Sequence, residues 1–139
     1  MTIRFAPDQK KKIASLIHPQ AVKDSLVLHV CRNNLGIVGF GFVDDVKGKT
    51  QFITYLVELD TAGIVRDVDI LAYREAYGGE IRYESFRKQF RDKTVHDSLK
   101  PGSDIKNISG ATISVRAISN GVKTMLAMFE TLKPLLLPR

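Results

Sequence analysis

Cysteine, histidine and long apolar runs are scarce in this sequence of 139 residues, and each scarcity excludes something. Cys31 is the only cysteine, so no internal disulfide framework can form. His18, His29 and His96 have no metal-ligand spacing with one another or with Cys31, and no metal site is expected. No apolar run approaches the roughly 18 to 20 residues that span a bilayer. The N-terminal segment also lacks the uninterrupted apolar stretch of a signal peptide. The chain is therefore expected to be cytoplasmic, or to have lost an export signal or anchor. No nucleophile or acid–base constellation stands out, which argues against stand-alone substrate turnover; no catalytic residue is assigned. There is no internal repeat and no low-complexity tract.

What is present fits one soluble globular unit. Hydrophobic residues make up 44% and charged residues 26% of the chain, and one core is affordable at this length without a staple. Lys plus Arg number 21 against 15 Asp plus Glu, a net charge of +6, which favours anionic partners. The basic residues are scattered rather than striped along one element, so nucleic acid is not expected as the partner.

Residues 8–17 read as a short helix with Asp8 as its cap, ended by His18-Pro19. Strands are expected at 26–32, 37–43, 51–59 and 64–73, joined by short turns such as Asp60-Thr61-Ala62-Gly63. In the second of these, Val38, Phe40 and Phe42 alternate with Gly39 and Gly41, a bare face that something large should approach. Tyr83, Phe86 and Phe90 mark one side of a short helix at 83–90. The strongest helix, about 111–133, carries Ile113, Ala117, Ile118, Val122, Met125, Leu126, Phe129 and Leu132 at a 3.6-residue period, and Pro134 should end it. The fold class that follows is α+β: a twisted antiparallel meander of about four strands, packed by the long C-terminal helix and shorter helices. Residues 1–24 read as an N-terminal helical extension and 25–139 as the main domain. Leu135, Leu136 and Leu137 would either pack on the sheet or dock to a membrane partner; His29 and Cys31 would pack on a shared strand face.

The chemistry points to Asn107-Ile108-Ser109-Gly110-Ala111-Thr112-Ile113-Ser114, where a loop enters the longest helix. A helix start exposes unpaired N–H groups and the positive end of the dipole, and small residues leave them open to an anion. Ser109, Thr112 and Ser114 add hydroxyls, and Lys106 and Arg116 could add charge. The same residues also read as a plain cap, with Ser109 accepting from the N–H of Thr112. A second block, Tyr73 to Glu80, places Glu75 and Tyr77 before Gly78-Gly79. Glu75 is either a solvated strand-end carboxylate or part of a site, and Tyr77 either stacks on a ligand or covers the core edge.

The run Ser109-Gly110-Ala111-Thr112, with Ser114 and Arg116 behind it and the Glu75–Gly79 block before it, resembles the signature of the FMN-binding domain family. That family includes the C subunit of sodium-translocating NADH:quinone reductases and the G subunit of Rnf-type electron-transport complexes. The resemblance implies an electron-carrying flavoprotein that holds FMN by its phosphate, as a phosphoester on Thr112. Ser109, Gly110, Ala111 and Ser114 would form the surrounding turn, and Glu75, Tyr77, Gly78 and Gly79 would lie close to the flavin. It also implies a flavin transferase for attachment, redox partner proteins that include membrane-bound ones, and an extracytoplasmic or membrane-associated location. One position departs: the family's Asp six residues before the acceptor is Lys106 here, and Asp104 lies two residues too early. Two rivals follow: non-covalent binding of FMN or another phospho-ligand without an electron-relay role, and a cofactor-free basic interaction protein.

Overall fold

The fold is described from a computed structural model for residues 2–17 and 23–137. Five strands, β1 (Thr2–Arg4), β2 (Ser25–Asn33), β3 (Gly36–Lys47), β4 (Phe52–Leu59) and β5 (Val65–Ala72), lie in that order in one antiparallel sheet. This is the expected α+β meander with one edge strand more, since β1 pairs with β2 through Ile3 and Leu26. Helix α1 (Pro7–Leu16) starts one residue earlier than expected. Its N-cap is Ala6, whose N–H donates to the Gln9 side chain at 2.8 Å, while Asp8 falls in the first turn. His18-Pro19 lies outside the described residues.

Period-two burial sets the sheet's inner face: Ile53, Tyr55, Val57 and Leu59 of β4 are buried, as are Phe40 and Phe42 of β3 and Leu28 of β2. Helix α3 (Thr112–Leu136) lies across this face. Phe129 packs on Phe40 with ring centroids 5.0 Å apart and on Phe42 at 6.1 Å. Met125 to Phe129 are all buried, because α1 packs on the helix as well. Lys123 closes a further side, its ammonium donating to the carbonyls of Val95 and Asp97. A helix enclosed on several sides is apolar beyond one stripe.

Several local expectations are corrected. Pro134 sits inside the last turn of α3 instead of ending it, and the N–H of Leu137 still donates to the carbonyl of Lys133 at 3.0 Å. Leu136 and Leu137 pack against the core, while Leu135 is exposed. The short helix is three pieces, a 3-10 turn at Gly79–Arg82, α2 (Glu84–Arg87) and a 3-10 turn at Lys88–Phe90. Phe86 and Phe90 pack edge to face at 5.5 Å, but Tyr83 points to solvent. Val38 is exposed rather than in line with Phe40, because the β2–β3 register shifts between Cys31 and Arg32. The neighbour of Gly39 is backbone: a Cβ there would lie 2.6 Å from the Leu59 carbonyl oxygen. His29 and Cys31 are exposed beside this glycine face, so they do not pack in the core.

Candidate functional site

The site lies at the end of the sheet where β5 runs out, the β3–β4 turn folds over and α3 begins. A hollow of about 530 Å³ opens there, lined by Lys49 and Thr50 from the turn, Glu75, Ala76 and Tyr77 after β5, and Gly110, Ala111, Ile113 and Ser114 at the helix start. Its volume falls within the range of small-ligand clefts. Two sequence blocks separated by about thirty residues thus form two walls of one cavity.

The helix start is built by a tight turn. The N–H of Ala111 donates to the carbonyl of Ile108 at 2.9 Å, and Gly110 sits at φ +83°, in the left-handed region. A Cβ at Gly110 would meet nothing, so backbone conformation, not space, calls for glycine. The turn makes Ala111 the N-cap, with no side chain capping α3, so Ser109 is not the cap its sequence position suggests. Helical bonding begins with the N–H of Val115 donating to Ala111 at 2.9 Å. The N–H groups of Thr112, Ile113 and Ser114 are left at the open end of the longest helix, with no acidic residue in its first turn. Thr112 is exposed between two lining residues, and its hydroxyl accepts from the amide of Asn107 at 3.1 Å.

The second wall is pinned by hydrogen bonds. One Glu75 carboxylate oxygen accepts from the N–H groups of Thr50 and Gln51, each at 2.7 Å, and the other from the Thr50 hydroxyl at 3.0 Å. The N–H groups of Gln51 and Thr50 hold this carboxyl below its ordinary range. Glu75 therefore ties the β3–β4 turn to the loop after β5 and sets Lys49 on the rim. Tyr73 ties the loop to the helix: its hydroxyl donates to the carbonyl of Tyr77 and meets the Ser114 hydroxyl at 2.9 Å. Gly78 lies in this junction at φ +85°, where a Cβ would be 2.4 Å from the Tyr73 hydroxyl and 3.0 Å from that of Ser114. Gly79 faces Arg82, whose guanidinium also lies 5.8 Å from the Tyr73 ring centroid. Tyr77, 85% exposed, stands free on the rim and covers no core.

Of the residues singled out in sequence, Gly110, Ala111, Ser114, Glu75 and Tyr77 line the hollow. Gly78 lies in the wall behind, Thr112 and Ser109 are exposed at the turn, and Gly79 faces away toward Arg82. Lys49 and Thr50 join the site from a turn outside both sequence blocks, and Tyr73, Asn107 and Ile113 take places in it from within those blocks. Ile113 belongs to the helical apolar period, yet it is 48% exposed because α3 starts beyond the sheet edge. Asp104 is not a displaced acidic motif residue. It accepts from the N–H groups of Leu99 and Lys100 and from the Ser98 hydroxyl at 2.7–2.9 Å, closing its own loop. Lys106 stands where the family has Asp, its N–H donating to the Gln89 side chain at 2.7 Å and its own side chain exposed.

A family profile described as "FMN-binding domain" matches residues 48–127, more than half of the chain, and takes in both walls. The G subunit of a proton-translocating ferredoxin:NAD(+) oxidoreductase complex from Clostridium ljungdahlii is 37% identical over 93 residues, 61% of this chain and 50% of that protein. The G subunit of a Na(+)-translocating ferredoxin:NAD(+) oxidoreductase complex from Acetobacterium woodii is 25% identical over 135 residues, 88% of this chain and 64% of that protein. The chain thus spans between half and two thirds of the length of these relatives.

Proposed function

The chain belongs to the FMN-binding domain family, and on that premise we propose that it is an electron carrier holding FMN at the start of α3, esterified through Thr112. The observation that carries the reading is the meeting of the Glu75–Gly78 loop and the 109–114 turn around one hollow, beside a helix start that no side chain among the described residues caps. FMN supplies one- and two-electron redox chemistry when bound; the protein supplies position and electrostatics.

The residues divide the work. The N–H groups of Ile113 and Ser114 and the hydroxyl of Ser114 would hold a phosphate carried on Thr112, where the helix dipole favours negative charge. The walls at Thr50, Ala76 and Ala111 would keep water from one side of a planar ring, and Tyr77 would offer a face for stacking. Lys49 places positive charge at the rim. Thr112 accepts a hydrogen bond from Asn107 and so has its own proton free to leave. No carboxylate or imidazole among the described residues hydrogen-bonds that hydroxyl, so the base would come from the flavin transferase, and the new Oγ–P bond would replace the pyrophosphate bond of an FAD donor, with AMP leaving. The partners we assign are that transferase and redox proteins of a membrane-associated complex like those of the two ferredoxin:NAD(+) oxidoreductase relatives, in an extracytoplasmic setting. No helix among the described residues is long and apolar enough to cross a membrane.

A second reading, non-covalent FMN binding, is favoured by Lys106 alone, since Asp104 is engaged elsewhere. Co-expression with a flavin transferase tests both. Intact mass should rise by FMN less one water, with flavin absorbance surviving denaturation and filtration, and Thr112→Ala should abolish both. A yellow protein that loses its colour on denaturation supports the second reading, and a colourless one removes both.

A further inference from the structure

We propose that Asn107 is a positioning residue for cofactor attachment, holding the Thr112 hydroxyl in the orientation from which it attacks. The inference rests on the covalent reading of Thr112 and deepens it. The Asn107 amide donates to that hydroxyl at 3.1 Å, and among the described residues it is the hydroxyl's only hydrogen-bond partner. A loop asparagine ordinarily bonds nearby backbone, as most side-chain hydrogen bonds do where water is not the partner. Here the side chain passes over the backbone of the turn and reaches another side chain five residues on. Both residues are exposed, so the bond adds little to stability and the fold alone gives no reason for it.

The loop holds Asn107 from both sides. Before it, the N–H of Lys106 donates to the Gln89 side chain at 2.7 Å, and the Gln89 amide donates in turn to the carbonyl of Phe86 at 3.1 Å. After it, Ile108 packs against the core and its carbonyl closes the turn with the N–H of Ala111. That turn, with Gly110 at φ +83°, folds the chain back so that residue 107 meets residue 112. The anchor at Lys106 runs through its backbone, so it does not depend on which side chain stands there.

An exposed threonine hydroxyl left to itself turns among staggered rotamers. The Asn107 bond occupies one lone pair of Oγ1 and turns the O–H and the other lone pair away from Asn107. In the attachment step Oγ1 attacks the flavin-side phosphorus of an FAD donor: the Oγ1–P bond forms, the pyrophosphate P–O bond breaks, AMP leaves, and the hydroxyl proton passes to the transferase's base. Negative charge grows on Oγ1 as the proton departs, and a donor already in place bonds more strongly to it. Orientation and charge both act on the maximal rate rather than on encounter with the transferase.

The test follows intact mass after the full-length chain is mixed with excess flavin transferase at several concentrations and saturating FAD. Asn107→Ala should lower the maximal loading rate about tenfold, with the half-saturating transferase concentration within about twofold of wild type. Asn107→Asp keeps the shape and an acceptor but loses the donor, and should be as slow as Asn107→Ala. Urea denaturation should find both variants as stable as wild type, so that the loss of rate is not a loss of fold. Wild-type loading by either variant, a loss confined to the half-saturating concentration, or destabilisation that accompanies the slower rate would overturn the proposal. Wild type that gains no mass overturns the covalent reading as well; wild type that loads beside an equally fast Asn107→Ala sinks only the role of Asn107.

Discussion

Replacing Gly78 by alanine probes the joint between the two walls. At φ +85° a Cβ meets its own backbone, which costs about 1–2 kcal/mol. It also arrives 2.4 Å from the Tyr73 hydroxyl, which must move. That hydroxyl holds the Tyr77 carbonyl and the Ser114 hydroxyl, and breaking these bonds adds roughly 0.5–1.5 kcal/mol each. The expected loss is therefore about 2–5 kcal/mol in urea denaturation of the flavin-free chain. Tyr73→Phe removes the obstructing oxygen, so in the Gly78→Ala background it should add little further loss, giving a coupling of about 1–2 kcal/mol in a double-mutant cycle. Gly78→Ala within about 0.5 kcal/mol of wild type, or strictly additive substitutions, would refute this account of the junction.

The meander was legible because β4 buries alternate residues, so Ile53, Tyr55, Val57 and Leu59 announce both strand and face. Strand β1 was not, since three residues carry no period and only pairing with β2 makes them a strand. Helix α3 was visible from its period, but its end was not: Pro134 removes a donor, yet Leu137 still closes the final turn. In the site, both motif blocks were readable, because glycines and small residues mark backbone that needs unusual conformations. What could not be read was the joining of the blocks. Glu75 reaches Thr50 and Gln51 across some 25 residues, and only sheet register brings the β3–β4 turn within its reach. Ser109 misled for a local reason, since the turn centred on Gly110 moves the N-cap to Ala111.

Gly121→Ala tests the helix–sheet contact. Its Cβ would lie 2.5 Å from the hydroxyl of fully buried Tyr55 and 2.9 Å from Val46, so urea denaturation should show a loss of about 1–3 kcal/mol, and no loss would refute the packing. Asp104 tests the loop before the motif: burial raises its carboxyl, but the N–H groups of Lys100 and Leu99 and the Ser98 hydroxyl outweigh that and bring it to about 2. Its stabilising contribution is present above the ordinary carboxylate range and is lost as pH falls toward 2; Asp104→Asn should flatten the stability slope between about pH 4 and 2, and an unchanged slope would refute it. The last prediction concerns Lys106, where the family has an acidic residue. Its side chain is exposed, and exposed charge effects amount to about 0–1 kcal/mol. A change of that size alters a rate by no more than about fivefold. Wild type should therefore load FMN covalently, and Lys106→Asp should load at least as fast, within that factor, in a time course of intact mass. A lysine that attracts the incoming phosphate offsets part of what it loses as a recognition residue, which narrows the expected gap further. If wild type stays unmodified while Lys106→Asp loads fully, the position makes a specific contact with the transferase that exposed-charge reasoning does not capture, and the native chain then holds its flavin without the ester.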